Sequence, residues 1–209
     1  RILLATHWDT RPWASKEKED PTVEFDGAND GGSGVGVLLE IARQIQMKGG
    51  PDVGVDLLFF DGEDWGQENG GRMDSWCLGS QHWANNKGAY SAYYGILLDM
   101  VGGKNAQFPY EGYSHQMAKK VMKNVWSQAS DIGYSRYFIP RREGGITDDH
   151  YYVNKIAKIP MINVLHWEPE HGYFGNWHHT RADNMDLIDK NTLKAVGQTM
   201  LHVVYYEEP

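Results

Sequence analysis

Four apolar runs recur along the chain, "RILLATHW", "VGVDLLFFD", "AYYGILLDM" and "KIPMINVLHW". Their apolar centres do not alternate with polar residues, so each reads as a strand covered on both faces, the pattern of a parallel sheet. Between them lie segments whose apolar residues recur at helical spacing. Strands alternating with helices give an α/β fold, a mostly parallel sheet with helices on both faces. At 209 residues an open, twisted, three-layer sheet fits better than a closed barrel. No internal repeat or low-complexity tract divides the chain, so residues 1–209 are read as one domain.

The first run is followed by a polar loop from Asp9 to Asn29, then by "GGSGVGVLLEIARQIQMKGG", a helix entered through glycines and stopped by Gly49 and Gly50. "SWCLGSQHWANN" and "DDHYYV" are expected as short helices. "HQMAKKVMKNVWSQASDIG" is expected as one helix with Met117, Val121 and Val125 on a common face, and "NTLKAVGQTMLHVVYYEE" as the last helix. Because the first residues already look like a buried strand, further sequence, with any signal peptide, is expected upstream.

A net charge of -8 argues against a nucleic-acid surface, which needs clustered Lys and Arg. It favours substrates that carry a positive charge. The single cysteine, Cys77, excludes an internal disulfide and a cysteine-rich metal site, so a metal here must be held by His and carboxylates. Cys77 and the methionines are read as packing. No run of about 18 apolar residues is present, so no membrane-spanning helix is expected.

The informative pattern lies at the C-terminal end of each strand. His7 and Asp9 come just after the first, Asp30 opens the first helix, and Asp61, Glu63 and Asp64 come after the second. Asp99 ends the third, and His178 and His179 lie after the fourth. In a parallel sheet all of these converge on one edge, where open α/β sheets build their sites. Each group alone has a plainer role: Asp30 as a helix N-cap, His7 with Asp9 as a loop-fixing pair, the histidines as surface residues. Three carboxylates beside a buried strand, however, repel one another and resist desolvation unless a cation compensates. Carboxylates and imidazoles together suit Zn(II) best among the common metals.

Five ordered motifs, "THWDTRP", "GANDGGSG", "FFDGED", "LLDMVGG" and "WHHTRADN", with "ITDDH" before the last, resemble the zinc-dependent exopeptidase superfamily over nearly the whole chain. That superfamily contains co-catalytic aminopeptidases and animal-type glutaminyl cyclases. The resemblance implies Asp30, Asp64 and His179 as metal ligands and Glu63 as the general acid/base. Asp64 stands where the cyclases more often have Glu, and His178 where the animal cyclases have a pocket Trp. In the aminopeptidases the counterparts of His7 and Asp99 hold a second zinc bridged by that of Asp30. In the cyclases one zinc remains, and the counterparts of Asp99 and Asp148 form a hydrogen-bonded acidic network. "FFDGED", "TDDH" and "LLDMVG" look more like the cyclases, and "THWDTRPWA" like their bacterial members.

The resemblance therefore implies conversion of N-terminal glutaminyl residues of peptides to pyroglutamate with loss of ammonia. One Zn²⁺ is expected, with a second at His7 and Asp99 left open, and Glu63, Asp99 and Asp148 are the expected catalytic residues. Trp65, Phe174, Trp177 and His178 are expected around the substrate pocket, and a periplasmic or secreted location is implied. Two alternatives remain: a two-zinc aminopeptidase, and a non-catalytic binding domain of the same fold. Oligomeric state is open.

Overall fold

The computed structural model describes residues 1–67, 72–171 and 173–207. Strands β1 (Ile2–His7), β2 (Val55–Phe60), β3 (Tyr94–Asp99) and β6 (Met161–Leu165) form one sheet in the order β2-β1-β3-β6, every pair parallel. These are the four apolar runs. Side chains alternate across the sheet: Ile2, Leu4, Ile96 and Leu98 enter one core, and Ala5, Leu97 and Phe60 the other.

Helices α1 (Gly32–Lys48), α4 (Lys119–Asp131) and α6 (Lys190–Tyr205) supply Leu38, Ile41, Met122, Val125, Val196 and Val203 to the first core. Helices α2 (Leu78–Asn86) and α5 (Asp149–Tyr152), with the π-helical turn Val153–Ala157, cover the second. This is the expected three-layer open sheet. Each fully buried Leu or Ile contributes about 1.5–3 kcal/mol, so the apolar runs account for the sheet without help from polar contacts. Among the described residues no helix is long and apolar enough to cross a membrane. The expected last helix ends before Tyr206, and Glu208, the final residue of that expected span, lies outside the described residues.

Three expectations are corrected. β2 has β1 as its only partner among the described residues, so Val55–Phe59 are half-buried, not covered on both faces. The helix read from His115 onward is two: α3 (Gly112–Met117) ends at Ala118, whose φ of -137° is not helical, and α4 starts anew. The break shifts the buried stripe to Met122, Val125, Trp126 and Ala129, leaving Met117 and Val121 half-buried. A second, two-stranded parallel sheet, β4 (Phe108–Tyr110) with β5 (Phe138–Arg142), has no counterpart in the apolar pattern of the sequence.

The approach of α1 to the sheet places the site. A side chain at Gly34 would put its Cβ 2.1 Å from Thr6 Oγ1 and 2.7 Å from the Leu98 carbonyl oxygen, so only glycine lets the helix start lie against β1 and β3. Asp30, just before that helix, is thereby brought beside His7.

Candidate metal centre

The parallel register sets Ala5 opposite Leu97, which carries His7 and Asp99 to the same sheet edge. His7 Nε2 lies 3.1 Å from Asp99 Oδ1 and 3.3 Å from Asp30 Oδ1. Helix α1 is preceded by Gly31 with no side-chain cap, so Asp30 is not spent on capping. Its backbone N–H instead donates to Asp183 Oδ2 at 3.0 Å, and that of Asn29 to Asp183 Oδ1 at 2.7 Å, which fixes the loop.

His179 comes from the loop after β6, at a positive φ of 58°. Its Nε2 is 2.9 Å from Asp64 Oδ1 and 3.5 Å from Asp30 Oδ2. His178 stacks on it with ring centroids 3.7 Å apart, and its Nε2 is 3.6 Å from Asp30 Oδ2. The two imidazoles differ in what holds them. His178 Nδ1 meets the Lys16 ammonium at 2.5 Å, so Nδ1 accepts and Nε2 carries the hydrogen. Burial, then neighbouring His179 and Lys16, push the His178 pKa well below the usual imidazole value, which keeps it neutral.

Of the three acids after β2, Asp61 is exposed and only accepts from the Gly62 N–H, the plainer role. Glu63 and Asp64 turn inward because the Asp9 carboxylate accepts both their backbone N–H groups, each at 3.1 Å. Burial, then the charges of Asp64 and Asp148, raise Glu63 well above the usual carboxyl range. Asp64 goes the other way: burial opposes its charge, but His179 outweighs that and holds its pKa low. Asp148 is held by Asn163 Nδ2 at 2.5 Å and pushed up to about 7, by burial first and Asp99 second. One donor atom each from Glu63, Cys77 and Asp148 lies within 4.8 Å of the others, so Asp148 borders Glu63.

The donor set fits a metal. Asp30, His178 and His179 converge within 4.8 Å, as do His7, Asp30 and Asp64. Two ligands of a tetrahedral zinc lie about 3.4 Å apart, close to the His179–Asp30 separation of 3.5 Å. Asp30 Oδ2 and Asp64 Oδ2 are buried yet accept no hydrogen bond from the described residues. Buried carboxylate oxygens are costly in that state, and a divalent cation is what relieves them.

The aromatic residues separate. Phe174 packs against His178 at a tilt of 31° with ring centroids 4.2 Å apart, and buried Trp177 packs with Met100 and Leu165 beside the same imidazole. Trp65 is 60% exposed and stands against Trp13, out on the rim. Sequence reasoning missed Asp183, the anchoring role of Asp9, and Arg11 with Trp76. Asp183 lies four residues past His179 in the same motif and was legible as a candidate; Arg11 and Trp76 act through backbone and ring contacts that leave no periodic signal.

Peptidase family M28 matches residues 1–204. Among solved structures, Bacteroides thetaiotaomicron glutaminyl cyclase bound to N-acetylhistamine is 48% identical with a TM-score of 0.95, covering 99% of this chain and 73% of that one. A leucine aminopeptidase precursor from Bacteroides thetaiotaomicron is 47% identical with a TM-score of 0.93, covering 99% and 72%. Aminopeptidase YwaD of Bacillus subtilis is 26% identical, over 98% of this chain and 40% of its own length. The chain spans about half the length of the curated relatives it matches.

Proposed function

The chain belongs to peptidase family M28, and from that premise we propose that it is a zinc-dependent glutaminyl cyclase, closing N-terminal glutaminyl residues of peptides to pyroglutamate with release of ammonia. Near-equal identities to a cyclase and to an aminopeptidase precursor do not separate the two activities. The observation that carries the cyclase reading is the buried Asp148, held by Asn163 beside Glu63. An acid at that place can hydrogen-bond the departing ammonia while Glu63 carries the proton.

Asp30, Asp64 and His179 would hold one zinc. His179 is favoured over His178 because it alone of the pair reaches Asp64, while Lys16 occupies the other nitrogen of His178. Bound there, zinc supplies a Lewis acid that polarises the substrate γ-carbonyl. Glu63 takes a proton from the substrate α-amine as that nitrogen bonds to the carbonyl carbon of the γ-carboxamide. It returns the proton to the amide nitrogen, the old C–N bond breaks, and ammonia leaves; no water is consumed. A carboxylate whose proton affinity is raised by burial is suited to both halves of this transfer. Asp148 and Asp99 hydrogen-bond the departing nitrogen, and Phe174 and Trp177 flank the His178 side of the pocket. Release of ammonia from a Gln-initiated peptide by the zinc-loaded protein, against none from the zinc-free protein, tests the proposal.

One observation favours the second reading, a two-zinc aminopeptidase. Asp30 and Asp99 each reach within 3.3 Å of His7 Nε2, which is where a second ion would sit. In the cyclase this trio is a hydrogen-bonded set instead. A zinc-to-protein ratio near two, with Leu removed from peptides, would favour the peptidase.

A further inference from the structure

The geometry points to Arg11 as the positioning residue for two of the proposed zinc ligands, Asp64 and His179, an inference that rests on the metal centre proposed above. In a chain with net negative charge, Arg11 is only 4% exposed. A cation is removed from water only where its N–H groups are met. Here they are met largely by the loop that carries Asp64: Nη1 donates to the carbonyl oxygens of Asp64 at 2.8 Å and Gly66 at 3.1 Å, while Nε donates to Ser15 Oγ at 2.8 Å.

A further contact of the guanidinium leads to His179. Arg11 Cζ lies 5.1 Å from the centroid of Trp76 and 5.7 Å from that of Trp13, within cation–π range of both. The Trp76 ring is parallel to the His179 imidazole, 6° between planes and 6.5 Å between centroids. Trp76 also lies directly on the loop, since a Cβ at Gly66 would fall 1.8 Å from its ring. Arg11 thus grips the Asp64 loop, and Trp76 packs against that loop, against Arg11 and parallel to the His179 ring. The same stretch of chain contributes the Lys16 N–H, donated to the His179 carbonyl oxygen at 3.1 Å.

Arg11 donates to backbone carbonyls and makes no step of the chemistry, so its role is to hold the two ligand-bearing loops at one spacing. A lysine does not replace it, because an ammonium on the two carbonyl groups leaves Ser15 Oγ without its donor and lacks the planar guanidinium that packs against the indoles. Groups that orient metal ligands typically change metal affinity about 10–100-fold when lost.

Zinc affinity, read by competition with a chelator on the full chain, tests the inference with Arg11→Lys, Trp76→Leu and His179→Ala beside the parent. We expect Arg11→Lys to bind zinc about 10–100-fold more weakly. Affinity within about twofold of the parent, well below the change expected of a ligand-orienting group, overturns the role of Arg11. Should Arg11→Lys not fold, the same reading on Trp76→Leu decides. If His179→Ala keeps the parent's affinity, the metal centre itself is misassigned and the inference falls with it. If His179→Ala loses zinc while Arg11→Lys keeps it, only the role of Arg11 falls.

Discussion

The Asp183 carboxylate accepts the backbone N–H of Asp30 at 3.0 Å, a tie across 153 residues of chain that sets where Asp30 points. Replacing Asp183 with Ala leaves that donor and the Asn29 N–H buried without an acceptor. A buried group so stranded costs about 1–3 kcal/mol. Urea unfolding of Asp183→Ala should show a loss of that order, with weaker zinc binding.

Zinc retention should separate the adjacent histidines. His179→Ala is expected to lose the metal and His178→Ala to keep it, because Lys16 leaves a hydrogen on His178 Nε2. Elemental analysis of the two purified variants checks this, with a single zinc per chain expected in the parent.

Glu63→Gln should leave the fold and the zinc in place, since the anchoring bonds from Asp9 go to backbone N–H groups that the substitution does not touch. Loss of a general acid/base typically costs about 10²–10⁴-fold in rate. Turnover of the zinc-replete variant on a Gln-initiated peptide is the measurement, and a near-parental rate would remove Glu63 from its role.

Much of this arrangement was legible in the sequence, for a physical reason. A strand covered by helices must be apolar throughout, so charged residues at its end stand out, and His7, Glu63, Asp64 and Asp99 were visible in that way. What escaped was set by contacts far apart in sequence. β4 and β5 are short and carry Pro109 and Pro140, which hide strand character. The break at Ala118 lies inside a continuous helical pattern. Arg11 holds its place by donating to carbonyl groups more than fifty residues away, which any residue type would present.

Stability should also depend on pH through Glu111 and His150. Glu111 caps α3 by accepting the Tyr113 and Ser114 N–H groups, and meets His150 Nε2 at 3.0 Å in full burial. Burial opposes its charge, but His150 and Ser114 outweigh that and bring its pKa down to about 2. A carboxyl with a depressed folded pKa contributes stability that is present above its unfolded value, about 4.3, and is lost as pH falls toward the folded one. His150 is shifted upward: burial acts against its charge, and Glu111 overcomes it. Its share is present below about pH 6.5 and is lost as pH rises through the folded pKa. Removing one member of a buried pair costs about 3–5 kcal/mol, so Glu111→Gln should be strongly destabilised near pH 6, with a flatter acid limb than the parent. Urea midpoints across pH check both.

The most direct test of the central claim is mass spectrometry of two peptides, one beginning with Gln and one with Leu, incubated with the zinc-loaded protein. Cyclisation through Glu63 and Asp148 predicts that the Gln peptide becomes lighter by one ammonia, with its residues all retained, while the Leu peptide is unchanged. Trimming of Leu with the Gln peptide left uncyclised would contradict the account and reassign His7 and Asp99 as ligands of a second zinc.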